Sequence, residues 1–153
     1  PVRRLKRKDI LMHSLTIEVT RPDESNEVDT YTLYFNIYKH ELVDFPERES
    51  LMNIFDDLIG FVKTDDEGNS SFEESHYQDV VYRLEKILEI VIHMAYGEIQ
   101  EVNVDGTQTN KHFVKSEEIT KAFETTDTYH ILIDTLLADP LAAINFINAV
   151  LGI

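Results

Sequence analysis

The stretch Leu15–Tyr38 reads LTIEVTRPDESNEVDTYTLYFNIY, and it decides the fold. In its first part Leu15, Ile17 and Val19 fall on one side of an extended chain, and Thr16, Glu18 and Thr20 on the other. In its last part Tyr31, Leu33, Phe35 and Ile37 share one side, and Thr32, Tyr34, Asn36 and Tyr38 the other. A period of two marks half-buried strands. The connection PDESNEVD, residues 22–29, is rich in turn formers. Two such strands predict an antiparallel hairpin. A lone hairpin is marginal in water, so helices further along the chain must cover it.

Those helices are legible by their three-four spacing. After Pro46, a stripe of Leu51, Ile54, Phe55, Leu58, Ile59 and Val62 predicts one. The longest stripe runs from Tyr77 through Val80, Val81, Leu84, Ile87, Leu88, Val91 and Met94 to Ala95. A helix of that length spans about 30 Å, close to the width of a small domain. Gly97 is read as its stop, and NVDGTQTN, residues 103–110, as a turn or a short weak hairpin. Ser116 precedes two glutamates and predicts a cap for the next helix, where early negative charge is favourable. TTD, residues 125–127, breaks that helix and caps another over Thr128–Ala138. Asp139 caps the last, with Pro140 at the first helical position, where a missing N–H costs nothing. The expectation is an α+β fold: a short antiparallel hairpin or sheet packed under four to five α-helices. Residues 1–14 form a basic N-terminal arm, and residues 15–153 a single domain.

The arm carries Arg3, Arg4, Lys6, Arg7 and Lys8 and no acid within Pro1–Lys8. The chain as a whole has net charge −15, so the body is more acidic still, with 9 basic against 29 acidic residues. An acidic body repels nucleic acid and anionic membrane, and one short arm supplies little beyond electrostatic adhesion. The arm suits a neighbouring acidic surface or solvent. With no cysteine, disulfides, thiolate chemistry and cysteine zinc sites are excluded, which fits the cytoplasm. No apolar run approaches the roughly 20 residues that cross a bilayer. Asp9, His13 and Ser14 interrupt any secretory apolar segment behind the arm.

Chemistry is sparsely encoded. The acidic loop KTDDEGNSSFEE, residues 63–74, fails as a calcium loop, because Lys63 falls on the first ligand position when Gly68 takes the sixth. None of the six histidines pairs with another at helical spacing. His93 and His130 read as residues flanking apolar stripes. No G-x-S-x-G turn, G-x-G-x-x-G or Walker motif occurs. Asp56 and Asp57 are adjacent on a helix and point about 100° apart, so they do not converge on one substrate. No catalytic, cofactor-binding or metal-ligating set is assigned. Tyr31, Tyr34 and Tyr38 suit either an interaction surface or the cover between sheet and helix.

The last helix is apolar nearly all round, apart from Asn145 and Asn148. Such a helix must be surrounded, and a domain this small has difficulty surrounding it alone. Either it is the central helix or part of it meets another chain. The segment FETTDTYHILIDTLLADPLAAINFINAVL, residues 123–151, resembles the C-terminal pattern of tail assembly chaperones of tailed bacteriophages. Phe123, Thr126, Asp127, Tyr129, Leu136, Asp139, Pro140, Phe146, Ile147 and Asn148 carry the likeness. The basic arm and the acidic loop have no counterpart in that pattern.

The resemblance implies a non-catalytic protein of the host cytoplasm that holds the helical tape-measure protein, tail-tube subunits or both during tail assembly. No cofactor or membrane is involved, and self-association is compatible with it. On that reading Tyr129, Leu136, Leu137, Phe146 and Ile147 face the client or a sister subunit. The alternative is a structural virion protein of the neck, tail end or baseplate, with the arm reaching onto neighbouring subunits.

Overall fold

A computed structural model describes residues 12–103, 106 and 109–152 of the chain. The basic residues of the arm, Arg3 to Lys8, lie outside the described residues. The α+β reading holds. The first hairpin is β1 (His13–Thr20) and β2 (Val28–Phe35), paired antiparallel with Leu15 opposite Leu33 and Ile17 opposite Tyr31. The short helix α1 (Lys39–Val43) and α2 (Arg48–Gly60) follow. Then come a small hairpin of β3 (Val62–Thr64) and β4 (Ser70–Phe72) and the long helix α3 (Tyr77–Ala95). Strands β5 (Tyr96–Asn103) and β6 (Thr109–Val114) precede α4 (Glu117–Glu124), α5 (Asp127–Ala138) and α6 (Pro140–Leu151).

The main sheet has four strands in the order β1-β2-β5-β6, antiparallel throughout. The expected weak hairpin after α3 is thus half of the sheet. Its alternation is muted because most of β5 faces water, and Tyr96 supplies the buried inner side chain. Gly97 is not a helix stop but a strand residue. Its missing side chain makes room for the Phe113 ring, and a Cβ there would lie 2.5 Å from that ring and 2.7 Å from the Val114 carbonyl. The acidic loop is also corrected: it is the tip of the β3–β4 hairpin. The Asp65 carboxylate accepts the backbone N–H groups of Glu67 (2.9 Å) and Asn69 (2.8 Å), and Gly68 takes φ +85°. Val62, expected on the α2 stripe, belongs to β3, and Ile59 is exposed.

The three caps read from sequence form. Ser116 Oγ accepts the Ile119 N–H at 3.1 Å. Thr126 Oγ1 accepts the Tyr129 N–H, and Asp139 Oδ1 the Ala142 N–H, each at 3.3 Å. Each satisfies one otherwise orphaned donor at a helix start. At Asp139 the chain turns by 114° between α5 and α6. Among the described residues no single helix is long and apolar enough to cross a membrane.

Helix α3 is the axis of the core. Val80, Leu84, Ile87, Leu88, Val91, Ile92 and Ala95 are all 0% exposed. Helices α2, α5 and α6 pack around it, and the inner face of the sheet closes the far side. An aromatic chain ties these layers together. Phe146 of α6 stands edge-on to Phe35 of β2 at 5.0 Å, and Phe35 edge-on to Tyr96 at 6.1 Å. Tyr96 stacks on Phe123 of α4 at 3.7 Å, and Phe123 meets Tyr129 of α5 edge-on at 5.6 Å. Edge-to-face pairs of this kind add to the burial of the rings.

Candidate partner-binding groove

Leu136 (7% exposed), Phe146 (3%) and Ile147 (0%) lie in the core of the monomer. As placed, they do not face a client. The sequence leaves two placements for this wholly apolar helix, the centre of the domain or the surface of another chain, and the domain encloses it. The domain can do so because α3 and α5 flank the helix and the β1–β2 hairpin lies against it through His13 and Phe35. Leu137 is half-buried against the same core. Tyr129 is different: it is half-buried, terminates the aromatic chain, and lines an open cleft of about 520 Å³.

This cleft is built from four segments. Helix α3 supplies Glu89, Ile90, His93 and Met94, spaced three and four apart and therefore on one face. Phe45 and Glu47 come from the turn into α2, Glu124 from the end of α4, and Tyr129 from the start of α5. The surface is apolar at Phe45, Ile90 and Met94, and acidic at Glu47, Glu89 and Glu124. A second depression of about 280 Å³ adjoins it and shares His93 and Met94. Its walls include Glu41, Tyr96, Lys115 and Glu117.

Two basic side chains frame the pair of depressions. Lys115 is largely buried, and its ammonium donates to the Asn36 carbonyl (2.9 Å), the Met94 carbonyl (2.7 Å) and the Glu41 carboxylate (2.6 Å). It therefore caps the C-terminus of α3 while joining that helix to α1 and to the chain beyond β2. His93 Nδ1 bonds the Glu124 carboxylate, and Nε2 lies 3.5 Å from that of Glu117. The hydrogen bond to Glu124 is the main cause that raises the His93 pKa above the ordinary imidazole value; the charges of Glu124 and Glu117 add to it. The Tyr129 phenol is also held above its usual value. Partial burial is the first cause, followed by the negative charge of Glu89, Glu124 and Glu85. The cleft is thus a region of negative potential over an apolar floor.

Sequence reading placed Tyr129 and Met94 on apolar stripes and His93 beside one, but did not assemble the cleft. No local period signals it, because its walls are 84 residues apart along the chain, from Phe45 to Tyr129. The hairpin tyrosines do not form one surface. Tyr34, opposite Gly97 and Ser14, is on the outer sheet face; Tyr31 pairs with Ile17 on the inner side, near its exposed end; Tyr38 precedes α1 and stacks on His40. Among the described residues no group of three or more His, Asp or Glu side chains is arranged to hold a metal ion.

A family model described as phage tail assembly chaperone matches residues 12–152. The likeness carried by residues 123–151 therefore extends over nearly the whole chain, the β3–β4 hairpin included, while the basic residues of the arm fall outside it. No curated protein and no solved structure matches the chain.

Proposed function

Since the chain belongs to the phage tail assembly chaperone family, we propose that it works by holding another polypeptide during tail assembly and makes or breaks no bond. The client is the helical tape-measure protein, the tail-tube subunits or both, engaged in the host cytoplasm. The observation that carries the site is the cleft on α3. There apolar side chains, a half-buried tyrosine and carboxylates meet on one open surface. Apolar surface gives a client helix somewhere to bury its own stripe. The acidic body around it keeps the loaded complex dispersed by mutual repulsion.

Co-expression tests this reading. A tape-measure or tail-tube protein that aggregates alone is expected to stay in solution and co-elute with the chain. If both remain insoluble and unbound in its presence, the reading fails. Mass spectrometry of purified virions separates a chaperone, expected to be scarce there, from a structural subunit, expected at the stoichiometry of the neck or baseplate.

A further inference from the structure

We propose that the α3 cleft receives an amphipathic helix bearing lysine or arginine beside its apolar stripe. The proposal rests on the client-binding reading above and specifies the chemistry of the segment held.

Three features of the cleft select that occupant. First, Phe45, Ile90 and Met94 offer apolar contact, and methionine adapts its shape to varied side chains. Second, the rim charge has one sign. Glu47 and Glu89 are exposed, and among the described residues neither has a cationic partner within 4.0 Å. The basic group lining the cleft is His93, already bonded to Glu124. Two carboxylates are therefore open to an incoming cation, and an acidic helix or a phosphate backbone is repelled. Third, the walls at α3, α4 and α5 are helices whose backbone groups are paired internally. An extended peptide gains no strand partner there, whereas a helix brings its own backbone bonds and needs only side-chain contacts.

The test uses the full chain and three synthetic helical peptides of equal length, followed by fluorescence anisotropy. One peptide has a leucine stripe flanked by lysine. The second has the same stripe flanked by glutamate, and the third keeps lysine but replaces leucine with serine. The first is expected to bind, more weakly as salt rises, and the other two to bind at least roughly tenfold less well. The double reversal E47K/E89K, at two exposed positions, is expected to melt like the parent and to weaken the first peptide by a similar factor. Equal binding of the acidic peptide, or unchanged binding to the double reversal, overturns the proposal.

Failure of all three peptides, while co-expressed tape-measure protein stays soluble, overturns the cleft assignment and leaves the chaperone reading standing. Failure of both removes the premise as well. A chain with Arg3, Arg4, Lys6, Arg7 and Lys8 changed to Gln supplies the last control. If the basic peptide binds only to that chain, the occupant is the protein's own arm, and the assignment to a partner helix is overturned.

Discussion

Helix α6 and the outer face of α3 both present apolar side chains, and the fold treats them in opposite ways. On α6, Ala143, Ile144, Phe146, Ile147, Val150 and Leu151 are buried against α3, α5 and the sheet. On α3, the fully buried stripe is backed by a second strip, Ile90 and Met94, that the fold leaves partly open between glutamates. The more hydrophobic segment is therefore the structural one. A binding surface differs from a core by being apolar and charged together, because the charges keep it wet until a complementary partner displaces the water.

The strongest way to break this comparison is to charge both regions. Phe146→Asp places a carboxylate in a buried, largely apolar site beside Phe35 and is expected to abolish the folded state. Phe146→Ala is expected to cost about 3–5 kcal/mol in urea unfolding, as for other truncated core aromatics. Glu89→Lys, on the exposed rim, is expected to change stability by no more than about 0.5 kcal/mol. If Phe146→Asp folds and melts like the parent, α6 is not the sealed region described above.

A smaller effect is expected at the strand joining the two regions. Tyr96 sends its ring inward onto Phe123, while Gly97, the next residue, lies under the Phe113 ring on the outer face. Gly97→Val forces that ring and the Val114 carbonyl to move. It is expected to cost about 1–3 kcal/mol by overpacking. Thermal melts that leave Gly97→Val unchanged would show that the outer face repacks freely.

How far the sequence could be read follows from the same contrast. The β1–β2 hairpin and α3 were legible because each keeps a strict period over eight or more residues with one face buried. Ser116, Thr126 and Asp139 were legible because capping is local chemistry. Strands β3 and β4 have three residues each, too few to show a period. Strands β5 and β6 carry Glu98, Gln100, Glu101, Lys111 and His112, because much of their surface meets water and selects no apolar face. Sequence alone leaves α6 open between the centre of the domain and the surface of another chain, and it is the family likeness that points Leu136, Phe146 and Ile147 at a client. The C-terminal pattern itself was sound. Its Phe123, Tyr129 and Phe146 are links in the aromatic chain, and its Thr126, Asp139 and Pro140 start helices. The cleft was not legible, since only folding brings Phe45, His93, Glu124 and Tyr129 together.

The cap at the corner between the buried helices separates stability from binding. Asp139→Ala leaves the Ala142 N–H without its side-chain acceptor. The expected cost is about 1 kcal/mol, read from the urea midpoint. The α3 cleft lies elsewhere, so binding of the basic peptide is expected to be unchanged. A loss of binding larger than the loss of stability would mean that the α5–α6 corner positions Tyr129, and the two regions would then be coupled.

The smallest effect is one of pH, and it contrasts a histidine from each region. His13 packs on Phe146 in the sealed region, where its Nε2 has no partner among the described residues, and desolvation lowers its pKa. The unfolded chain then binds the proton better. His13 gives its full stabilisation above the unfolded value of 6.5, and that contribution falls as pH drops below it. His93 in the open cleft has the opposite sign. Its bond to Glu124, and then the charges of Glu124 and Glu117, raise its pKa, so the folded chain holds the proton better. Its contribution is full below 6.5 and is lost as pH rises through the raised value. Because His93 is substantially exposed, solvent screens the pair and the change is modest. His93→Gln is therefore expected to flatten the alkaline side of the stability profile while leaving the acid side, governed in part by His13, as it was. Urea midpoints measured from pH 5 to 8.5 on both chains decide it. An unchanged alkaline slope would show that the His93–Glu124 pair does not hold its proton in the folded protein.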